Sequence, residues 1–263
     1  MLRTIFSKTL YEKRWAMLWW GLAMFVTTLL IVLLFPTFSE AFGKSLQDVP
    51  DSLKQVLGNA SDYQHIEGFL HLQVFMQMIF LTIIYGIILG TGLIAGEEGQ
   101  GTLQTLLAHP VSRTKVYFHK AAAAAVVLWV VNFTMFLAIV VGCMMINEPT
   151  NYFRVFLATN LQWLVSMVFA LVGYTLGVMT GKRGLSGAFA GIYVFVAYLV
   201  SSLVATVDWM KYLNYFSPIK YFSEPRIMDA GLQLDNVAIL AGACIGLTLI
   251  GWIVFVKRDI YSQ

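Results

Sequence analysis

Continuous apolar runs dominate the chain. Six of them, at roughly 16–35, 72–95, 121–146, 156–180, 185–207 and 236–256, hold no Asp, Glu, Lys or Arg in their interiors. A helix needs about 20 apolar residues to cross about 30 Å of hydrocarbon, and each run is of that order. A transmembrane barrel would show short alternating strands instead. The pattern predicts an all-α integral membrane protein with six transmembrane helices.

The segments between the runs add detail. Over 1–14, Leu2, Ile5, Phe6, Thr9 and Leu10 fall on one helical face and Arg3, Lys8 and Lys13 toward the other. That amphipathic pattern predicts an N-terminal interfacial elbow helix bending into the first span. Phe35-Pro36-Thr37-Phe38 follows the first run where a signal peptide would place small residues, so the run is expected to be an uncleaved anchor. Residues 36–71 are polar, and Pro50-Asp51-Ser52 is expected to open a short helix reaching Gly58. Residues 208–235 mix prolines and charges with Trp209, Tyr212, Tyr215, Phe216, Tyr221 and Phe222, which predicts a partly re-entrant segment before the last span.

Composition supports the same class. Hydrophobic residues make up 59% of the 263 and charged residues 12%, against about a quarter charged in soluble domains. The mean hydropathy is +0.74. A soluble enzyme, a disordered chain and a disulfide scaffold are all excluded, and a single transmembrane domain over 1–263 is expected. Cys143 and Cys244 lie inside apolar runs and read as small core residues. A net charge of +3 gives no footprint for nucleic acid.

Charge also sets orientation. With the N-terminus inside, Arg3, Lys8, Lys13, Arg14, Arg113, Lys115, Lys120, Lys182, Arg183, Lys257 and Arg258 are cytoplasmic, 11 of the 17 Lys and Arg. Of the 14 acids, only Glu12, Glu97, Glu98 and Asp259 are on that side. Both termini are therefore expected in the cytoplasm.

The loop after the second run carries the most chemistry. Glu97 and Glu98 leave the membrane, and Gly101 precedes a short helix with Leu103, Leu106 and Leu107 on one side. Pro110 stops that helix, and Ser112 is placed to cap the next one. A short helix with an apolar face suits either a partner's groove or a bed of lipid headgroups.

The stretch Gly96-Glu97-Glu98-Gly99-Gln100-Gly101-Thr102-Leu103, then Leu106-Leu107, Pro110, Ser112-Arg113 and Lys120, resembles the signature loop of type-2 ABC transporter permeases, the ABC-2 exporters. Leu213-Asn214-Tyr215-Phe216-Ser217-Pro218-Ile219-Lys220-Tyr221-Phe222 is similar to that family's aromatic segment, and Phe255-Val256-Lys257-Arg258-Asp259 to its ending. Gln104 departs from the pattern, because an acid often follows Gly-Thr-Leu. The resemblance spans the whole chain in order. It implies a half-transporter in a plasma membrane, bacterial or archaeal, paired with a second permease copy and a cytoplasmic ABC ATPase subunit. ATP and Mg would bind the ATPase, and no cofactor this chain. The loop would be a cytoplasmic coupling helix, with Glu97, Glu98, Gly101, Thr102, Leu103, Leu106, Leu107, Pro110 and Arg113 forming the joint. The second and fifth spans would line the pathway, making Gln73, Gln77, Tyr85 and Thr91, with Tyr193, Phe195, Tyr198 and Ser201, the candidate cargo contacts. These polar groups serve equally well as bonds between neighbouring helices.

The residues limit the alternatives independently. The chain has no Gly-x-x-x-x-Gly-Lys-Ser/Thr, so no P-loop. An ion-coupled carrier or channel would call for an ionisable group inside a span, and the six runs hold none. An intramembrane enzyme would need convergent nucleophile, base or metal ligands, and His65, His71, His109 and His119 show no zinc spacing. The few polar groups among apolar walls point to an amphipathic or lipid-like cargo: a drug, lipid or peptide. Gly86/Gly90, Gly92/Gly96, Gly173/Gly177, Gly187/Gly191 and Gly242/Gly246 share a spacing that permits close helix approach. Asn160, Gln162, Ser166, Tyr174 and Thr175 of the fourth run read as interhelical contacts, and the seven tryptophans mostly as interface anchors.

Overall fold

The computed structural model describes residues 4–45, 65–204, 207, 209–223 and 227–258. The helix expected from Pro50 to Gly58 lies outside these residues. Among the described residues, six helices are long and apolar enough to cross a membrane. They are α1 (Ile5–Leu33), α3 (Ile66–Leu93), α6 (Arg113–Ile146), α7 (Tyr152–Thr180), α8 (Arg183–Leu203) and α12 (Leu234–Lys257). Each contains most of one apolar run, and most extend beyond it.

The extensions have local causes. Thr4, Ser112 and Asn151 each accept a backbone N–H at the start of α1, α6 and α7, which moves those starts ahead of the apolar runs. The cap expected at Ser112 is the one observed, with Lys115 N donating at 3.3 Å. α1 carries one correction. No Gly or Pro stands between Ile5 and Trp20, so nothing interrupts the hydrogen-bond ladder. The expected elbow is therefore the first turns of a continuous 29-residue helix rather than a separate element.

Pro36 follows α1, and a second helix, α2 (Phe35–Ser45), begins there, where a missing N–H costs little. α3 contains a π-turn at Leu70–Phe75. Two short helices, α4 (Ala95–Gly99) and α5 (Thr102–Leu107), lie on the side of the bundle that also carries both ends of the described chain. That side is called the loop side. On the far side, α9 (Met210–Asn214), α10 (Lys220–Ser223) and α11 (Ile227–Ala230) form the aromatic segment before α12. Its Asn214, Ser217, Ile219, Phe222 and Met228 are buried against the bundle.

α7 is the hub, with α3, α12, α8 and α6 packed around it, while α1 lies along α6. Lipid tails are as apolar as leucine, so close contact and hydrogen bonds must hold such helices together. Both are present. A Cβ on Gly90 would stand 2.1 Å from Ala170 O, and one on Gly86 3.0 Å from Ser166 O. The fourth-span polar groups bond across helices as expected. Ser166 Oγ donates to Thr82 Oγ1 at 2.8 Å, Tyr174 OH to Tyr117 O at 3.0 Å, and Thr175 Oγ1 to Leu247 O at 3.1 Å. Trp129 Nε1 donates to Asn160 Oδ1 at 3.2 Å and Trp163 Nε1 to Ala125 O at 3.0 Å, so these two tryptophans join helices. Gly187, Gly191, Gly242 and Gly246 meet nothing within 4 Å of a built Cβ, so their close-approach potential is unused within the chain.

Candidate functional site: the loop-side joint

The joint begins where α3 ends at Leu93 and continues through α4 and α5. Gly101 takes a left-handed conformation, φ +71°, which only glycine adopts without strain. That turn directs the apolar side of α5 inward. Leu103 is fully buried, and Leu106 and Leu107 pack against the core. The apolar face thus packs on its own chain rather than on a partner's groove or a bed of headgroups. The surface left open carries Thr102, Thr105, Ala108, His109 and Pro110. Thr102 Oγ1 donates to Glu97 O at 3.2 Å, and His109 Nδ1 lies 2.9 Å from Thr105 O.

Two ion pairs tie this loop to the bundle. Lys120, inside α6, bonds Glu97 and donates to Leu93 O at 2.9 Å. Its side chain is 2% exposed. The apolar run at 121 starts just after it, but α6 starts at Arg113, so a charged group lies within the helix. The apolar run itself stays free of charge; the helix reaches past it, and there Glu97 and a carbonyl satisfy the Lys120 ammonium. The second pair is Arg258 with Glu98. Arg258 Nη2 donates to Glu98 Oε1 at 2.6 Å and Nη1 to Oε2 at 3.0 Å, the two-point geometry that favours guanidinium. Arg258 Nη1 also reaches Val178 O at 2.7 Å. Arg113 Nη1 closes the cluster by donating to Arg258 O and, at 3.4 Å, to Val256 O. The acids and Arg113 therefore connect α4 to α6, α7 and α12.

The candidate pathway residues divide into two groups. Tyr85 is buried and stacked on Trp20, ring centroids 4.9 Å apart. Tyr193 OH donates to Phe216 O at 2.7 Å, and Ser201 Oγ to Asn214 Oδ1 at 2.9 Å, so both hold the far-side segment. Thr91 donates to Ile87 O of its own helix at 2.7 Å. Gln77 donates to Gln73 Oε1 at 2.5 Å and is exposed, as are Phe195 and Tyr198. Tyr198 meets Phe80 edge-on at 5.0 Å, which sets α3 beside α8. A groove of about 460 Å³ runs along these helices, lined by Ile84, Ile88, Thr91, Arg183, Gly187 and Gly191 among others.

A family model described as ABC-2 family transporter protein matches residues 9–260. The chain belongs to the ABC-2 transporter family. It is 28% identical over 168 residues to the "Probable multidrug ABC transporter permease YbhR" of Escherichia coli strain K12, and equally to the protein of that name in strain O157:H7. Each match covers 60% of this chain and 44% of the relative, so the chain spans less than half the length of the relatives it matches.

In this ABC-2 permease, sequence reasoning identified the acids of the joint but not their partners. Lys120 precedes five alanines and Arg258 follows the last apolar run. A cation at the edge of each run was the available signal. A hydropathy window stops at such a charge and does not register the acid that satisfies it.

Proposed function

We propose that this ABC-2 permease is the membrane half of an ATP-driven exporter. A cytoplasmic ABC ATPase subunit binds ATP and Mg, hydrolyses the nucleotide and presses on the open face of α5. A second permease copy completes the transport unit. The chain supplies no P-loop of its own, so the energy enters through the partner. Both termini lie in the cytoplasm, consistent with the basic residues of the loop side.

The observation that carries this reading is the tied joint. A push on α5 reaches α6 through Glu97–Lys120 and reaches α7 and α12 through Glu98–Arg258. Movement imposed at one loop is thereby shared by three spans instead of being absorbed in a flexible hinge. Thr102, Thr105 and His109 are the side chains offered to the ATPase, while Leu103 fixes the helix from beneath. The groove between α3 and α8 and its unused glycines suit a second copy and a shared pathway, for which Gln73, Gln77, Phe195 and Tyr198 of the same two helices are the candidate cargo contacts. The apolar walls favour an amphipathic cargo, in keeping with the multidrug designation of the relatives.

The test is purification of the tagged chain in mild detergent, followed by reconstitution. An ABC ATPase is expected at near-equal stoichiometry, and export of a dye-like amphiphile from proteoliposomes is expected to require ATP. A chain that purifies alone and moves the dye without ATP would overturn the proposal.

A further inference from the structure

α8 and α12 both pack on α7 and leave a gap between them on the far side. Val168 and Val172 of α7 form its floor, and Ala243, Gly246 and Leu247 of α12 one wall. Tyr215, Phe216 and Tyr221 roof it, and the cavity measures about 540 Å³. The roof is built, not draped. Tyr193 OH holds Phe216 O at 2.7 Å, Tyr221 OH holds Tyr215 O at 2.8 Å, and Asn236 Nδ2 holds Tyr221 O at 3.1 Å. Burial, and then the neighbouring Tyr215, push the Tyr221 phenol above its ordinary range, so it remains a neutral donor. Tyr215, Phe216 and Ile250 at the rim are exposed, so the groove opens laterally.

Water does not suit this space, because its polar lining groups already bond one another. Left empty, it would forfeit dispersion contacts along its whole length. Hydrocarbon is the matching filler. The charge at its mouth selects the head that accompanies that chain. Lys220 Nζ lies 3.4 Å from the Tyr215 ring centroid and 5.8 Å from that of Tyr221. It makes no ion pair among the described residues.

We propose that the groove between α8 and α12 holds one acyl chain of an anionic glycerophospholipid whose phosphate pairs with Lys220. The lipid joins α12 to α8 through the far-side segment, where the two helices have little direct contact. This holds whether or not the chain works as an exporter.

The purified chain is exchanged into nanodiscs containing phosphatidylglycerol and phosphatidylcholine with identical acyl chains, and retained lipid is counted by native mass spectrometry. The wild type is expected to keep one phosphatidylglycerol, favoured about five-fold over phosphatidylcholine, the factor one lysine gives near an anionic surface. Lys220→Gln should abolish the preference without emptying the groove. Gly246→Phe, which fills open space beside the groove, should lose both lipids. A photoactivatable acyl chain on phosphatidylglycerol should label 243–250 and 168–172 of the wild type, a readout independent of how the variants fold. Labelling confined to other spans overturns the proposal. So does equal lipid retention by Gly246→Phe, or a wild type that keeps no lipid because a second copy covers the groove.

Discussion

Glu97→Gln removes the countercharge from an ammonium buried away from the protein surface. The Lys120 side chain is 2% exposed and that of Glu97 20%. At an effective dielectric near 20, two charges in contact attract by about 4 kcal/mol. Breaking a buried pair from one side costs about 3–5 kcal/mol, because the remaining charge stays desolvated. Leu93 O and the new amide still accept from Lys120, so the lower end, about 3 kcal/mol, is expected. Lys120→Met should cost less, since Glu97 retains access to water. The double variant Glu97→Met with Lys120→Met should recover most of the loss, as apolar replacement of a whole buried pair is often near neutral. Equilibrium unfolding in mixed dodecyl maltoside and SDS micelles, followed by circular dichroism, measures all three. A loss below about 1 kcal/mol for Glu97→Gln would match an exposed pair and refute the burial argument. A double variant no more stable than Glu97→Gln would refute the pairing itself.

Other expectations follow from the same geometry. Arg258→Ala should leave nucleotide hydrolysis by the complex intact while lowering transport at least about tenfold, because α12 is released from Glu98; the exchange Glu98→Arg with Arg258→Glu should restore part of it. Normal transport by Arg258→Ala would remove the proposed linkage. Gly90→Ala drives a methyl into Ala170 O and should destabilise by about 1–3 kcal/mol or more, whereas Gly187→Ala should stay within about 0.5 kcal/mol, both read by the same micelle titration. Thr105→Trp should abolish co-purification of the ATPase with the spans still inserted, while Leu103→Asp should reduce the yield of folded protein instead. Retention of the ATPase by Thr105→Trp would remove α5 as its seat.

The spans were legible because each apolar run states its own solvent. Their ends were not, because helices continue until their backbone ladder is capped. Asn151 marks one such end and carries no hydropathy signal of its own, whereas Ser112, two residues after Pro110, was legible as a cap. The inward side of α5 was visible in the spacing of Leu103, Leu106 and Leu107, but what covers it was not. Gly86 and Gly187 begin pairs of identical spacing, yet one meets the Ser166 carbonyl and the other nothing. A close approach is a property of two helices, and local spacing describes only one. Tyr85 shows the same limit: the sequence places it on the second span but does not show that Trp20, from a helix far off in sequence, stacks on its ring.

The central position of α7 bears on how the protein is made. It is the fourth span in chain order, yet α3, α6, α8 and α12 all rest on it. During synthesis, α1 and α6 can associate as soon as both are in the bilayer. α3 can meet them through Lys120 and Trp20, but the face carrying Thr82, Gly86 and Gly90 has no partner until α7 is present. The first three spans therefore keep one polar and glycine-lined face open to lipid until then. Arrival of α7 closes that face and gives α8 and α12 the surface they rest on.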